Sequence, residues 1–125
     1  MDRLTIIIDD RALSDTELDA SALALRQELL ELPVHDVQSL PAGVAPPGAR
    51  VVDVTVLGGL VVMLNSSVAL LASLVTAIRA WRRNTIPDST VRLKLGDDEI
   101  EISGVSEETE ALLLADWARR HGSPS

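Results

Sequence analysis

The chain has 125 residues, enough for one domain with a core of its own. Hydrophobic residues make up 46% of it and aromatic residues 2%, both of them Trp (Trp81 and Trp117), so the core must be built from Leu, Val, Ile and Ala. A net charge of -8 argues against binding phosphate backbones, which calls for a basic stripe, and the absence of cysteine excludes disulfides and thiolate metal sites.

Leu4 to Ile8 is a β-branched run closed by Asp9-Asp10 and predicts a first strand. Ser14-Asp15-Thr16-Glu17 has the pattern of a capping box, in which the Ser14 hydroxyl and the Glu17 carboxylate each bond the other's amide. The helix it opens carries Leu18, Ala22, Leu25, Leu29 and Leu32 in steps of four and three, one stripe that Leu23 and Leu30 widen. Pro33 ends it. Val34 to Leu40 predicts a second strand. Pro41 to Gly48, with three prolines and two glycines, is a loop. The N-terminus lacks a basic region followed by an apolar stretch and a cleavage site, so it does not read as a signal peptide.

Val54 to Ile78 is a run of 25 residues without a charge, followed by Arg79, Trp81, Arg82 and Arg83. Its length suits a membrane span, with the basic cluster as a cytoplasmic-side anchor. Asn65-Ser66-Ser67 in the middle and Gly58-Gly59 near the start favour a soluble helix instead, because hydroxyl and amide groups need partners in lipid. The expected element is one long helix from about Asp53 to Arg83, although Val51, Val52, Val54 and Val56 all favour strand. Such a helix has a greasy stripe, Leu57, Leu60, Leu64, Val68, Leu71, Val75 and Ile78, and a stripe of small residues. It exceeds what a monomer of this size easily covers, so self-association or a partner chain would cover the rest.

Thr90 to Leu95 alternates, with Val91, Leu93 and Leu95 on one face and Arg92 and Lys94 on the other. Ile100 and Ile102 alternate with Glu99 and Glu101 after the turn Gly96-Asp97-Asp98, giving an antiparallel hairpin with one wet face. Ser106 caps a last helix with Glu107, Glu108 and Glu110 in its first turn and Arg119, Arg120 and His121 in its last, matching the helix dipole. Leu113, Leu114, Trp117 and Ala118 supply its buried stripe, and Gly122 ends it. The expected fold is a single α+β domain over residues 1–122 with a disordered tail over 123–125. A four-stranded, mostly antiparallel sheet would carry the order strand, helix, strand, long helix, strand, strand, helix.

Chemistry-bearing residues are sparse. His121 reads as a dipole partner. His35 beside Asp36 could form an oriented base, but no nucleophile accompanies it. Asp9-Asp10 reads as a solvated turn, since a metal site needs further ligands. Gly58-Gly59 lacks the ending of a phosphate loop, and Asp97, Asp98, Glu99 and Glu101 lack EF-hand spacing. No catalytic, cofactor-binding or metal-ligating residue is therefore expected, and no cofactor. The expected interface residues are Leu57, Leu64, Val68, Leu71, Val75, Trp81 and Trp117, with the two tryptophans as anchors. Arg50, Arg82 and Arg83 are candidate sites for a trypsin-like cut.

The chain resembles the effector-associated constant component family of bacterial, actinobacterial-type conflict systems. The resemblance lies in Ala45-Pro46-Pro47-Gly48-Ala49-Arg50, the small-and-aliphatic segment Leu57 to Ile78, and its exit Ala77-Ile78-Arg79-Ala80-Trp81-Arg82-Arg83. The Val91 to Ile102 hairpin and the Leu112 to Trp117 segment follow in the same order. It covers roughly Leu4 to His121, and it departs from the pattern at Asn65-Ser66-Ser67. It implies a cytoplasmic, non-enzymatic adaptor that acts beside a trypsin-like or caspase-like peptidase or an NTPase and an effector, through self-association or partner binding, without nucleic acid. The alternative is a latent membrane-disrupting effector whose apolar helix 54–78 is released by proteolysis or assembly.

Overall fold

The computed structural model describes residues 2–41, 51–52, 55–65, 67–104 and 107–122. The loop residues 42–50 with Arg50, the cap Ser106 and the tail 123–125 lie outside the described residues. The chain runs β1 (Asp2–Asp9), α1 (Asp15–Leu30), β2 (Asp36–Pro41), β3 (Val51–Val52), β4 (Thr55–Leu64), α2 (Val68–Thr85), β5 (Thr90–Leu95), β6 (Asp98–Ile102) and α3 (Glu107–His121). Five strands form the body of one antiparallel sheet in the order β2-β4-β1-β5-β6, and the two-residue β3 pairs with the start of β4.

The α+β class is as the sequence predicts, with one strand more in the body of the sheet. The additional strand comes from the uncharged run. Thr55–Leu64 is β4, Ser67 caps α2, and no helix spans 53–83. A central strand buried on both faces has no period-2 alternation, so its apolar run imitates a buried helix. Leu60, Val62 and Leu64 face the helices, while Val56 and Val61 pack with Leu40 on the other side. The polar triplet marks the boundary: the Ser67 hydroxyl accepts the Leu70 amide at 3.1 Å. Gly58, with φ +75° and the β1 carbonyl of Ile8 beside it, bends the strand where a side chain would be strained.

β1 and β2 are parallel with β4 between them, and β4 and β5 are parallel with β1 between them. These two interleaved β-α-β units make the split arrangement of a ferredoxin-like sheet, extended by β6 and α3. The inner face (Leu4, Ile6, Ile8, Val62, Leu93) meets Leu18, Leu25 and Leu29 of α1 and Leu71, Leu74 and Ile78 of α2 in one core. The expected capping box at Ser14 and Glu17 is present, with both bonds at 3.1 Å. Leu23 and Leu30 do not widen the buried stripe of α1; both are exposed.

The expected antiparallel hairpin is present, with Arg92 opposite Glu101, Lys94 opposite Glu99 and Asp98 in β6 rather than in the turn. Gly96 takes φ +65° in its two-residue turn. α3 packs on α2 through Leu114, Trp117 and Ala118.

Candidate functional site

The placement of α3 follows from two anchors. At its start, the Glu110 carboxylate accepts the amides of Ser103 and Gly104 at 3.0 and 2.9 Å, and its other oxygen lies 3.4 Å from Arg79 of α2. At its end, Gly122 lies so close to the first turn of α2 that a Cβ would fall 2.4 Å from the Val68 nitrogen. Between these anchors α3 lies beside β6 and leaves a groove of about 420 Å³. Ile100, Leu113 and Leu114 give it apolar walls, and Glu99, Glu101 and Glu110 border it. No basic residue lines it among the described residues.

The sheet has two edges, and they differ. On β2, the Arg26 guanidinium donates to the Val37 carbonyl at 2.8 Å, Asp36 accepts the Val37 amide at 2.8 Å, and Pro41 has no amide to offer. These devices close an edge against further pairing. β6, at the other end of the strand order, pairs with β5 alone among the described residues.

A second cluster joins the β5–β6 turn to the end of α3. His121 Nε2 donates to Asp98 Oδ2 at 2.7 Å, and Arg120 reaches the same oxygen at 2.9 Å. The His121 hydrogen bond, with Arg120 beside it, holds the Asp98 carboxyl below its ordinary value against the opposing effect of partial burial. The imidazole lies tilted over Trp117, with ring centroids 5.4 Å apart. Neither neighbour is a nucleophile, so the pair ties turn to helix. No group of three metal-ligating side chains occurs among the described residues.

The other sequence candidates take structural places. Asp36 does not orient His35: its oxygens accept the Gln38 side chain and the Val37 amide, which lower its pKa in that order. Asp10 accepts the Ala12 amide and the Ser89 hydroxyl, and Asp9 pairs with Arg92 at 3.1 Å. Five of the seven expected interface residues, Leu64, Leu71, Val75, Trp81 and Trp117, are buried in the chain's own core, and Leu57 and Val68 are half-buried. The five buried ones pack inside the fold. Arg82 is only 7% exposed, inside a cradle of carbonyl oxygens, so a protease cannot reach it in the folded chain. Arg83 is exposed but lies inside α2, where a protease would first have to unwind the helix.

No family model, curated protein or solved structure matches this chain. The resemblance to the effector-associated constant component family therefore rests on the order of its segments, and the segment Leu57 to Ile78 is a strand followed by a helix. No described helix is long and apolar enough to cross a membrane. The helix 54–78 that a membrane-disrupting form requires is not an element of this fold.

The residues missed by sequence reasoning are Leu112 and Leu113, which are 73% and 57% exposed. Leu113 was expected in the buried stripe. A signal existed: three consecutive leucines, Leu112 to Leu114, cannot share one face of a helix with 3.6 residues per turn.

Proposed function

We propose that the chain is a non-catalytic protein-interaction component, an adaptor of a bacterial conflict system that works in the cytoplasm beside a peptidase or NTPase and an effector. The observation that carries the binding reading is the pair of exposed leucines on α3, Leu112 and Leu113, of which Leu113 lines the groove beside β6, a strand whose outer edge is unpaired among the described residues. Adjacent exposed leucines at a groove are what a partner-binding surface offers. The conflict-system setting comes from the family resemblance alone.

Binding of another protein is favoured over self-association. An uncovered apolar helix would favour self-association, but the uncharged run is covered by α1, β1, β2 and α3. The test is co-expression of the tagged chain with the proteins encoded beside it, followed by co-purification. The wild type should carry a partner, and Leu112→Glu with Leu113→Glu should lose it at an unchanged melting temperature. Retention of the partner by the double variant, or absence of any complex, overturns the reading.

A further inference from the structure

We infer that the groove between β6 and α3 takes an extended segment of a partner protein, added as a strand to β6, in which basic and apolar residues alternate. The inference rests on the binding reading above and names the chemistry of what is bound.

Strand addition needs unpaired backbone groups along a strand, and pockets for alternate side chains give it specificity. The β2 edge is closed by Arg26, Asp36 and Pro41, whereas β6 pairs on one side alone among the described residues. β6 spans five residues, Asp98 to Ile102, enough to pair with a short segment.

Its side chains set the pattern of the guest. Ile100 and Ile102 pack with the helix-side core, so an added strand places every second side chain on that face, where Ile100, Leu113 and Leu114 line the groove. The intervening side chains fall on the outer face beside Glu99 and Glu101. Arg92 is 3.9 and 3.3 Å from these two carboxylates but also serves Asp9 at 3.1 Å, and Lys94 stands opposite Glu99, so two cations face three acids. Lysine or arginine on the guest completes the pairing.

The same charges argue against a second copy as the guest. Laid antiparallel about Ile100 with faces matched, two β6 strands bring Glu99 of one opposite Glu101 of the other, and like charges directly opposite are destabilising. A nearly isolated acidic edge thus repels itself and admits a basic strand.

The probe is a capped heptapeptide of alternating lysine and valine, titrated into the full chain at low salt with fluorescence anisotropy and amide chemical shifts as readouts. Controls are an alternating glutamate and valine peptide, and the basic peptide N-methylated on the edge that would face β6. The basic peptide should shift residues 98–102 and 109–114, while the acidic peptide should not. N-methylation should remove binding, because it deletes the ladder donors. Glu99→Lys with Glu101→Lys should weaken binding of the basic peptide about tenfold and strengthen that of the acidic one. Shifts elsewhere, indifference to N-methylation, or equal binding by the charge-reversed variant overturns the inference. So does a dimer by light scattering whose interface maps to β6. If the co-purified complex survives Glu99→Lys with Glu101→Lys but not Leu112→Glu with Leu113→Glu, the binding reading stands and the strand-addition inference falls.

Discussion

Arg82, in the last turn of α2, donates to the Ser103 carbonyl just beyond β6, across an interval of 21 residues. The same guanidinium donates to the carbonyls of Ser89 and Pro87, both at 2.6 Å. One side chain therefore ties α2 to the loop before β5 and to the entry into α3. It is buried with carbonyl oxygens as its hydrogen-bond acceptors among the described residues, and their dipoles stabilise its charge. Gly104 completes the wall at φ +74°, where a Cβ would lie 2.8 Å from the guanidinium.

Arg82→Lys should destabilise the fold by about 1–3 kcal/mol, because a point-like ammonium cannot meet carbonyls spread around a planar fork. Arg82→Met should cost more, since every carbonyl in the cradle then lacks its donor. Urea denaturation of the two variants checks the order. A lysine variant as stable as wild type would show that the fork geometry is unimportant.

Glu110→Ala should cost about 2–3 kcal/mol, because it leaves the Ser103 and Gly104 amides without their acceptor. Arg79→Ala leaves both amides bonded to Glu110 and should leave their exchange slow. Hydrogen exchange at residues 103 and 104 reports the first effect locally. Slow exchange there in the Glu110→Ala variant would contradict it.

Leu71 shows how far the sequence could be read. Its place on an apolar helical stripe was legible, as were the capping box, the antiparallel hairpin and the α+β class. What the stripe faced was not. Leu57 to Leu64 belongs to a central strand, and continuous burial erases the alternation that marks a strand. The valines at 51, 52, 54 and 56 and the polar triplet at 65–67 carried the local signal, but the length of the run outweighed them. The groove was hidden for a different reason: its lining joins β6 to α3, and only their packing brings Ile100 to Leu113. Leu71 is fully buried, so Leu71→Ala should cost about 2–5 kcal/mol and Leu71→Glu should unfold the chain outright. A folded Leu71→Glu variant with altered assembly would return this residue to an interface.

Trp117 is fully buried, yet its indole nitrogen has no hydrogen-bond partner among the described residues. The indole thus contributes through its packed area while its N–H carries a desolvation penalty. Trp117→Phe should be nearly neutral, within about 1 kcal/mol, while Trp117→Ala should lose about 3–5 kcal/mol to the cavity. A large loss in the phenylalanine variant would mean that the N–H is satisfied in solution.

Asp98 gives a pH test whose sign is fixed by its surroundings. Its folded pKa is lowered, first by the His121 hydrogen bond, so the folded chain holds this proton less tightly than the unfolded chain does. The stabilisation is therefore present above the ordinary carboxylate pKa of about 3.9, and it is lost as pH falls through the lower folded value. Glu17, bonded to the Ser14 amide and hydroxyl, and Asp36, bonded to Gln38 and the Val37 amide, act in the same direction. Asp98→Asn should thus melt below wild type at pH 5–6, and the two curves should converge as the pH falls through the lowered folded value. Added salt should narrow the gap, because Asp98 and Arg120 are partly exposed and their attraction is screened. A gap that persists at acid pH would mean that the asparagine acts through lost geometry, with the charge of Asp98 playing no part.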